Sequence, residues 1–435
     1  MNISAPQIFR SIRSRLRLRL GLLALTAALL APPPTQATNG YFAHGYGIKA
    51  QGMAGVGSAL PQDGFAAAYN PAGTALVDDQ LDLGLTWFIP RRSAEITGNA
   101  FGPDESFDGN GRKNFVIPEI AYVQRLSRHL SAGVAVYGNG GLNTDYGQNP
   151  YARFGGNGSA GVNLEQLFVT PSLAWKLNDE HAIGIALNVA YQRFYARGLD
   201  VFSAFSQAPE NVSNQGTDTS TGVGVRLGWT GTPVPGLTLG ASWASEINGR
   251  FDRYRGLFAD NGGFDIPENY GLGIAWQPAP GWTLAADLQE VRYGDVGSVG
   301  NPVARLFAGV PLGADDGPGF GWRNSTTYKF GISHQVNDRL TLRAGYSHLH
   351  QPIPAQETFF NILAPGVVED HATVGATWRF ANASELSGFF AHGFDNTVNG
   401  VESIPPGLPP GGLGGGNANI SLSENMFGLS YTWSL

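Results

Sequence analysis

Short segments of about ten residues, in which bulky apolar side chains alternate with small or polar ones, recur along most of the chain. In the segment 183–192, one face carries Ile, Leu, Val and Tyr, while the other carries Gly, Ala, Asn and Gln. The segments 237–244, 270–277 and 372–380 show the same division. This two-residue period predicts β-strands. A bulky apolar face opposite a face of small and polar residues is typical of a barrel wall with lipid outside and a filled lumen inside.

Fourteen such segments follow one another, and the connections between them alternate between short and long. Short turns at one rim and long loops at the other are typical of bacterial outer-membrane barrels, whose termini both lie on the periplasmic side. The pattern therefore predicts an all-β protein with a 14-stranded antiparallel transmembrane β-barrel over residues 80–435. The predicted strands start near 80, 114, 129, 164, 181, 218, 236, 266, 281, 325, 339, 369, 384 and 422. Long loops are predicted near 91–113, 138–163, 197–217, 294–323, 351–368 and 395–421.

Tryptophan residues gather beside the predicted short turns. Trp175, Trp229, Trp276 and Trp378 each precede a short turn, and Trp282 follows one. Aromatic side chains concentrate where a membrane meets water, so this distribution predicts an aromatic ring at the periplasmic interface. The alternative is that these residues anchor the core of a soluble barrel.

The first 37 residues have the features of an export signal. Five arginines between positions 10 and 19 precede an apolar run at 20–31, and a small-x-small pattern ends at Ala37. The apolar run is shorter than the roughly 20 residues that a membrane-spanning helix needs. An N-terminal amphipathic anchor is the alternative, but the arginines precede the apolar run instead of sharing a helix with it. The mature chain is expected to begin near Thr38.

The composition agrees with export and excludes some partners. Removal of the signal leaves 22 basic against 34 acidic residues, a net charge of −12, which argues against a nucleic-acid partner. The chain has no Cys, so neither disulfides nor thiolate metal sites hold the fold. Gly is about twice as frequent as usual and charged residues are scarce, as expected for many strands and tight turns.

Residues 38–79, which precede the first predicted strand, do not follow the strand pattern. This segment is rich in Gly and Ala and also contains Phe65, Tyr69, Leu76 and Val77. It can hang free at the periplasmic rim or fold back into the barrel. Its apolar content favours a hatch, that is, a plug inside the lumen.

Three stretches resemble the FadL family of outer-membrane long-chain fatty-acid transporters, together with relatives that take up aromatic and aliphatic hydrocarbons. Asn70, Pro71 and Ala72 resemble the Asn-Pro-Ala motif of that family's hatch, and the stretches 171–179 and 340–356 resemble two further family segments. The resemblance covers essentially the whole mature chain. A departure occurs at 369–371, where Glu-Asp-His stands in place of the Pro-Asp-x-Asp-Arg type of run that family members more often have.

The resemblance implies a monomeric barrel that is closed by its hatch and that carries hydrophobic molecules. Ligand is captured among the long loops, passed to a lumenal site and released sideways through a gap made by a kink in the third strand. Gly138, Gly140 and Gly141 end the third predicted strand and are the candidates for this wall gap, because glycine inside a strand favours a bulge. Alternatively, these glycines begin the long loop.

Strand alternation places four cations, Lys329, Arg343, Arg226 and Arg379, on small-residue faces that point into the lumen. The short turn at 337–338 makes the strands of Lys329 and Arg343 neighbours, so these two are expected to lie close together. A fatty carboxylate in an apolar lumen needs a charge-assisted partner, which makes the four cations candidates for head-group recognition. The alternative is that each cation is solvated or paired with an inward acid such as Asp287.

No catalytic motif is present. The chain contains no Gly-x-Ser-x-Gly sequence, and His348 and His350 share a strand face without a third metal ligand at a suitable spacing. We therefore expect no catalytic residues, metal or cofactor, and as partners a hydrophobic ligand and outer-membrane lipid. The expected function is transport of hydrophobic compounds, first of all long-chain fatty acids. Neutral aromatic or aliphatic hydrocarbons are the alternative ligands, and a structural or enzymatic barrel such as a lipase is the alternative class.

Overall fold

The structure, a computed structural model, describes residues 39–408 and 412–435. The predicted export signal at 1–37 lies outside the described residues. In the part of the chain that is described, no helix is long and apolar enough to cross a membrane.

The described residues form one antiparallel sheet that closes on itself, because β1 and β15 pair along 18 residues of each strand. Every other long strand pairs with its neighbours in sequence. The strands are β1 Gln80–Thr97, β2 Glu105–Asp108, β3 Phe115–Arg125, β4 Leu130–Tyr146, β5 Ala160–Lys176, β6 His181–Arg197, β7 Asp218–Val234, β8 Leu237–Ala244, β9 Asn269–Ala279, β10 Trp282–Val291, β11 Ser325–Gln335, β12 Leu340–Leu349, β13 Asp370–Arg379, β14 Glu385–Val398 and β15 Asn417–Ser434.

The helices are one or two turns long, and they lie in the segment before β1 and in the long loops. The α-helical turns are Ile48–Gln51, Ala66–Tyr69, Ala259–Gly262, Gly297–Gly300, Ala304–Phe307 and Thr358–Asn361. The 3₁₀ turns are Pro71–Leu76, Ala152–Phe154, Asp200–Phe205, Pro209–Asn211, Asp252–Tyr254, Tyr293–Asp295 and Ala355–Glu357.

The predicted 14-stranded barrel is confirmed, and most strand starts were predicted to within three residues. The four-residue β2 is an addition: it pairs with β1 alone, beyond the point where β3 begins, and leaves a wall of fourteen long strands. The predicted loop at 138–163 was too long, because β4 continues to Tyr146 and β5 begins at Ala160. Likewise, β15 begins at Asn417, five residues before its predicted start.

The two faces predicted from alternation are the two faces of the wall. On β6, Ile185 and Leu187 are each 45% exposed, whereas the intervening Ala186 and the following Asn188 are each 1% exposed. Large apolar side chains therefore cover the outside, where they meet lipid, and small or polar ones point inward. Trp175, Trp276 and Trp378 are also exposed on the outside, each close to a short turn, as the predicted aromatic ring requires.

Residues 39–79 lie inside the barrel and are almost entirely buried. The turn Ile48–Gln51 contacts β13, β14 and β15, and the turn Pro71–Leu76 contacts β4, β5, β6 and β7 on another side of the wall. We call residues 39–79 the hatch segment. Its side chains, among them Tyr41 and Phe65, join those of the long loops and of the strands in the largest apolar core of the described protein.

Candidate functional site

A cavity among the long loops is lined almost entirely by apolar side chains. Phe194 and the loop residues Phe202, Phe258, Phe360 and Leu363 contribute to its wall. The ring centroids of Phe194 and Phe258 are 4.8 Å apart, and those of Phe202 and Phe360 are 5.1 Å apart, in edge-to-face packing. We call this space the loop cavity.

No ionisable side chain lines the loop cavity in the described part of the chain. Its one side-chain hydroxyl, that of Ser298, already donates a hydrogen bond to the Gly263 carbonyl. The cavity has a volume of about 30 Å³, which is room for a water molecule. The aromatic rings must therefore part before a larger molecule can enter.

The wall loosens between β3 and β4. The two strands pair from Arg125 and Ser131, near the short turn, as far as Ile120 and Val136. Beyond that point β3 stays beside β1, while β4 continues beside β5 with a register shift between Gly138 and Gly140. The outer half of β4 is therefore not hydrogen-bonded to β3, and the predicted glycines lie inside this strand, not at the start of a loop. We call this place the wall opening.

The hatch segment occupies the inner side of the wall opening. Ala43 donates its backbone N–H to the Asn139 carbonyl at 2.8 Å, and Gly141 donates to the Tyr41 carbonyl at 2.9 Å. Glycine is required between these two bonds, since a Cβ at Gly140 would lie 1.8 Å from the Tyr41 carbonyl oxygen. The start of the hatch segment thus pairs with the strand edge that β3 leaves free.

Wall carboxylates hold the hatch segment through its backbone. One carboxylate oxygen of Asp287 accepts the N–H groups of Gly57 and Ser58, each at 2.8 Å. Glu119 accepts from Gly47 at 3.1 Å, and Asp82 accepts from Gly64 at 2.8 Å. These three acids stand on β1, β3 and β10, so their bonds to the backbone of the hatch segment fix its position along the barrel axis from different sides of the wall.

The predicted hatch motif lies at a turn that faces β7. The Asn70 side chain caps the turn Pro71–Leu76 by accepting the N–H of Ala72 at 3.1 Å. Its amide nitrogen donates to the carbonyls of Ser58 and Trp229, both at 2.8 Å. The same side chain therefore joins two parts of the hatch segment to the wall.

Asp63 is a buried carboxyl within the hatch segment. Burial raises its pKa to about 7, and the nearby Asp82 adds to the increase. The cations Lys49 and Arg343 and the backbone N–H of Phe65 act in the opposite direction. The hatch segment therefore contains an acid that titrates near neutral pH.

The structure separates the two cations that were expected to lie together. Lys329 pairs with Ser347, whereas Arg343 pairs with Ser333, four residues along the ladder. At about 3.3 Å per residue, their Cα atoms are roughly 13 Å apart, so the expected proximity was wrong. Lys329 is 3% exposed and donates to the hatch carbonyls of His44 at 3.2 Å and Gly55 at 3.4 Å.

The other three cations have separate surroundings. Arg343 donates to Gln62 of the hatch segment at 3.0 Å and to Thr377 at 2.6 Å. Arg226 is buried and donates to the Tyr69 carbonyl at 3.2 Å. Arg379 is more than half exposed at the end of β13, 4.0 Å from Glu385, and does not join the buried cations. Lys329, Arg343 and Arg226 all contact the hatch segment or its carbonyls.

Sequence reasoning missed the loop cavity and the contacts of the wall acids. The rings of the loop cavity come from loops far apart in the chain, so no local period marks them. Asp287 was considered as a partner for a cation, and its actual partners are backbone N–H groups of the hatch segment. Glycines on inward faces were the available signal: a Cβ at Gly228, for example, would lie 2.0 Å from the Asn70 side chain.

A closed wall of fourteen strands, a lumen occupied by residues 39–79 and an apolar cavity among long loops are typical of an outer-membrane barrel of the plugged type. A family model described as outer membrane protein transport protein (OMPP1/FadL/TodX) matches residues 34–404. The chain belongs to this family and is therefore a transport channel for hydrophobic compounds in the bacterial outer membrane, not an enzyme.

Solved structures share the fold at low sequence identity. A FadL homologue from Pseudomonas aeruginosa has a TM-score of 0.70 and 18% identity, over 91% of this chain and 99% of that one. The toluene transporter TodX from P. putida has a TM-score of 0.64 and 17% identity, and the toluene transporter TbuX from Ralstonia pickettii has a TM-score of 0.63 and 17% identity. Each comparison covers 90% of this chain and 99% of the other. None of the curated protein sequences compared with the chain matches it.

Proposed function

We propose that the protein takes up neutral hydrophobic compounds, such as aromatic or aliphatic hydrocarbons, and delivers them sideways into the outer membrane. The loop cavity carries this proposal: it is lined by aromatic and aliphatic side chains without an ionisable group in the described residues. A carboxylate that entered it would lose its hydration without gaining a charged partner, which is costly. A hydrocarbon has no charged group to dehydrate, and its transfer is favoured by about 0.8 kcal/mol for each methylene that leaves water.

The proposed route runs from the loop cavity past the hatch, which we assign to residues 38–79 of a mature chain that starts near Thr38. The exit is the wall opening, where Gly138, Gly140 and Gly141 let β4 leave β3. Tyr41, Phe42 and Ala43 cover the opening from inside and must move aside for a molecule to pass. Lateral exit suits an apolar ligand, because the bilayer is a better solvent for it than the periplasm.

Uptake of long-chain fatty acids is the second candidate, and a different cavity favours it. Arg226 and Lys329 line a small space between the hatch segment and β7–β11, together with Asp287. The Nε atom of Arg226 has no hydrogen-bond partner among the described residues. The two cations outnumber the one acid, so this space can accept a carboxylate head group while the chain extends toward the loops.

Competing uptake of toluene and oleate tests the proposal in cells that lack the protein and cells that express it. We expect expression to raise toluene uptake more than oleate uptake. Leu363→Asp puts a charge into the loop cavity and should abolish the gain for toluene. Leu408→Asp is the matched control, because Leu408 is 74% exposed on a loop.

Heat-dependent mobility in SDS gels establishes that each variant has a folded barrel before uptake is compared. A gain for oleate alone would replace the first candidate by the second. Equal toluene uptake by the two Asp variants would contradict the role of the loop cavity.

A further inference from the structure

A second small cavity lies beside the wall opening, between β1, β4 and β15 and under the loop 350–369. Two charged side chains, Arg92 of β1 and Glu424 of β15, line it together with Asn143 of β4. The rest of the lining is mainly apolar and includes Phe88 and Leu142. The cavity has a volume of about 20 Å³, enough for one small polar group. We call it the seam cavity, because β1 and β15 close the barrel here.

The charged groups of the seam cavity are buried and not fully hydrogen-bonded. Arg92 is 3% exposed; its Nη2 donates to the Gly109 carbonyl at 2.9 Å, but Nε and Nη1 have no hydrogen-bond partner among the described residues. Glu424 is 1% exposed, and within the same part of the chain neither of its oxygens accepts a hydrogen bond. The Nε2 atom of His371 lies 3.5 Å from the carboxylate but donates no hydrogen bond to it. The Asn143 side-chain oxygen has no such partner either.

These unused atoms specify the chemistry of a complementary ligand. A guanidinium group only donates hydrogen bonds, and the Glu424 carboxylate, in the ionised form that the charge of Arg92 favours, only accepts them. A hydroxyl group can do both, since its proton can go to Glu424 while its oxygen accepts from Arg92. A carboxylate head group would be repelled by Glu424, and a hydrocarbon would leave all these atoms unsatisfied. The apolar lining suits the carbon atoms next to the hydroxyl.

We propose that the seam cavity binds the hydroxyl head group of an otherwise apolar molecule, an alkanol or a phenol, with Glu424 as acceptor and Arg92 as donor. This inference rests on the proposed function and names a substrate class within it. The place is suitable for the last binding step before release, because Leu142 and Asn143 follow directly on Gly140 and Gly141 at the wall opening.

Binding of three 12-carbon probes to the full chain in lipid nanodiscs tests the proposal. The probes are 1-dodecanol, dodecane and dodecanoate, so chain length is constant and the head group alone differs. We expect wild-type protein to prefer dodecanol over dodecanoate. In Glu424→Gln, the affinity for dodecanol should fall about five- to tenfold, because a neutral acceptor replaces a charged one. The affinity for dodecanoate should rise with the loss of repulsion, and that for dodecane should not change.

Glu95→Gln is the matched control. Glu95 lies on the same strand as Arg92, but outside the seam cavity, where it accepts a hydrogen bond from Asn419 at 3.0 Å. It should leave all three affinities as in the wild type. Parallel losses for the three probes in Glu424→Gln, or no change in any of them, would overturn the proposal. Equal wild-type affinities for dodecanol and dodecane would mean that water alone fills the cavity, which also overturns it.

A labelling experiment on wild-type protein avoids dependence on a folded variant. A dodecanol that carries a diazirine next to its hydroxyl group should label the peptide of Glu424 or that of Leu142. Labelling confined to other peptides would overturn the proposal. The proposed function fails separately, if cells that express the protein take up neither dodecane nor dodecanol faster than cells that lack it.

Discussion

A side chain at Gly140 should separate the hatch from the wall opening. Ordinary contacts of a Cβ atom are longer than 3.0 Å, whereas a Cβ at this position would lie 1.8 Å from the Tyr41 carbonyl oxygen. Either Tyr41 or β4 must therefore move in Gly140→Ala. The barrel should still close, because β4 keeps its long ladder with β5 and the pairing of β1 with β15 involves neither Gly140 nor Tyr41.

The expected magnitude follows from the two backbone hydrogen bonds that flank Gly140. The bonds from Ala43 to Asn139 and from Gly141 to Tyr41 both depend on the close approach. A net contribution of about 1 kcal/mol for each gives about 2 kcal/mol, or roughly a 30-fold shift from the docked toward the displaced hatch. The N-terminal part of the hatch should then uncover the wall opening far more often.

Hydrogen exchange of the Ala43 and Gly141 amides measures this shift directly, and uptake of labelled toluene measures its consequence. We expect faster exchange at both amides together with altered uptake in Gly140→Ala. Gly147→Ala is the matched control, because nothing lies within 4 Å of a Cβ at that position. If both amides of Gly140→Ala stayed as protected as those of Gly147→Ala, the close approach would have no role in holding the hatch.

Three further results are expected. Replacing Asn70 and Pro71 with Ala should impair uptake and leave heat-dependent mobility intact, because one lost bond lies within the hatch and the other joins it to the wall, and neither holds wall strands together. Failed assembly with normal uptake by the remaining protein would contradict this. Asp63 has a pKa of about 7 when docked against 3.8 when free, so the docked hatch holds a proton that the displaced hatch releases. Docking of the hatch should therefore weaken as the pH rises from about 4 to 7, so proteolysis of the hatch should be slower at low pH. Asp63→Asn should reduce this difference between low and neutral pH. If the difference persisted unchanged in that variant, Asp63 would not be responsible for it. Finally, replacing Arg226 and Lys329 with Met should reduce oleate binding more than dodecane binding if fatty acids are a substrate; equal losses would indicate a loosened hatch instead.

The wall could be predicted from the sequence because the alternation of residue types within each strand shows which side chains point outward and which point inward. Ile185 and Asn188 differ in exposure as alternation predicts, and the short turns set the strand starts. Alternation shows on which face of the wall a side chain lies, but not its position along the barrel axis, here called its height. The height of Arg343 relative to Lys329 depends on the register, which the turn at 337–338 sets by placing Arg343 opposite Ser333.

The candidate site was less predictable, because its parts come together only in the closed barrel. Arg92 and Glu424 are 332 residues apart in the chain and meet where the first and last strands pair. The rings of Phe202 and Phe360 meet across two separate loops. Neither pair has a local period or a spacing that a single sequence could reveal.

The close fit between the hatch and the inward glycines has a consequence for the cell. A Cβ at Gly184 or Gly240, on different strands, would lie within 2.3 Å of the hatch backbone, so the hatch fills the described lumen to its wall. A resting protein should therefore be electrically silent in a planar bilayer, unlike a porin with a water-filled channel. A bacterium can then carry many copies of the protein without admitting hydrophilic antibiotics. It can take up hydrophobic nutrients while its outer membrane stays impermeable to polar solutes.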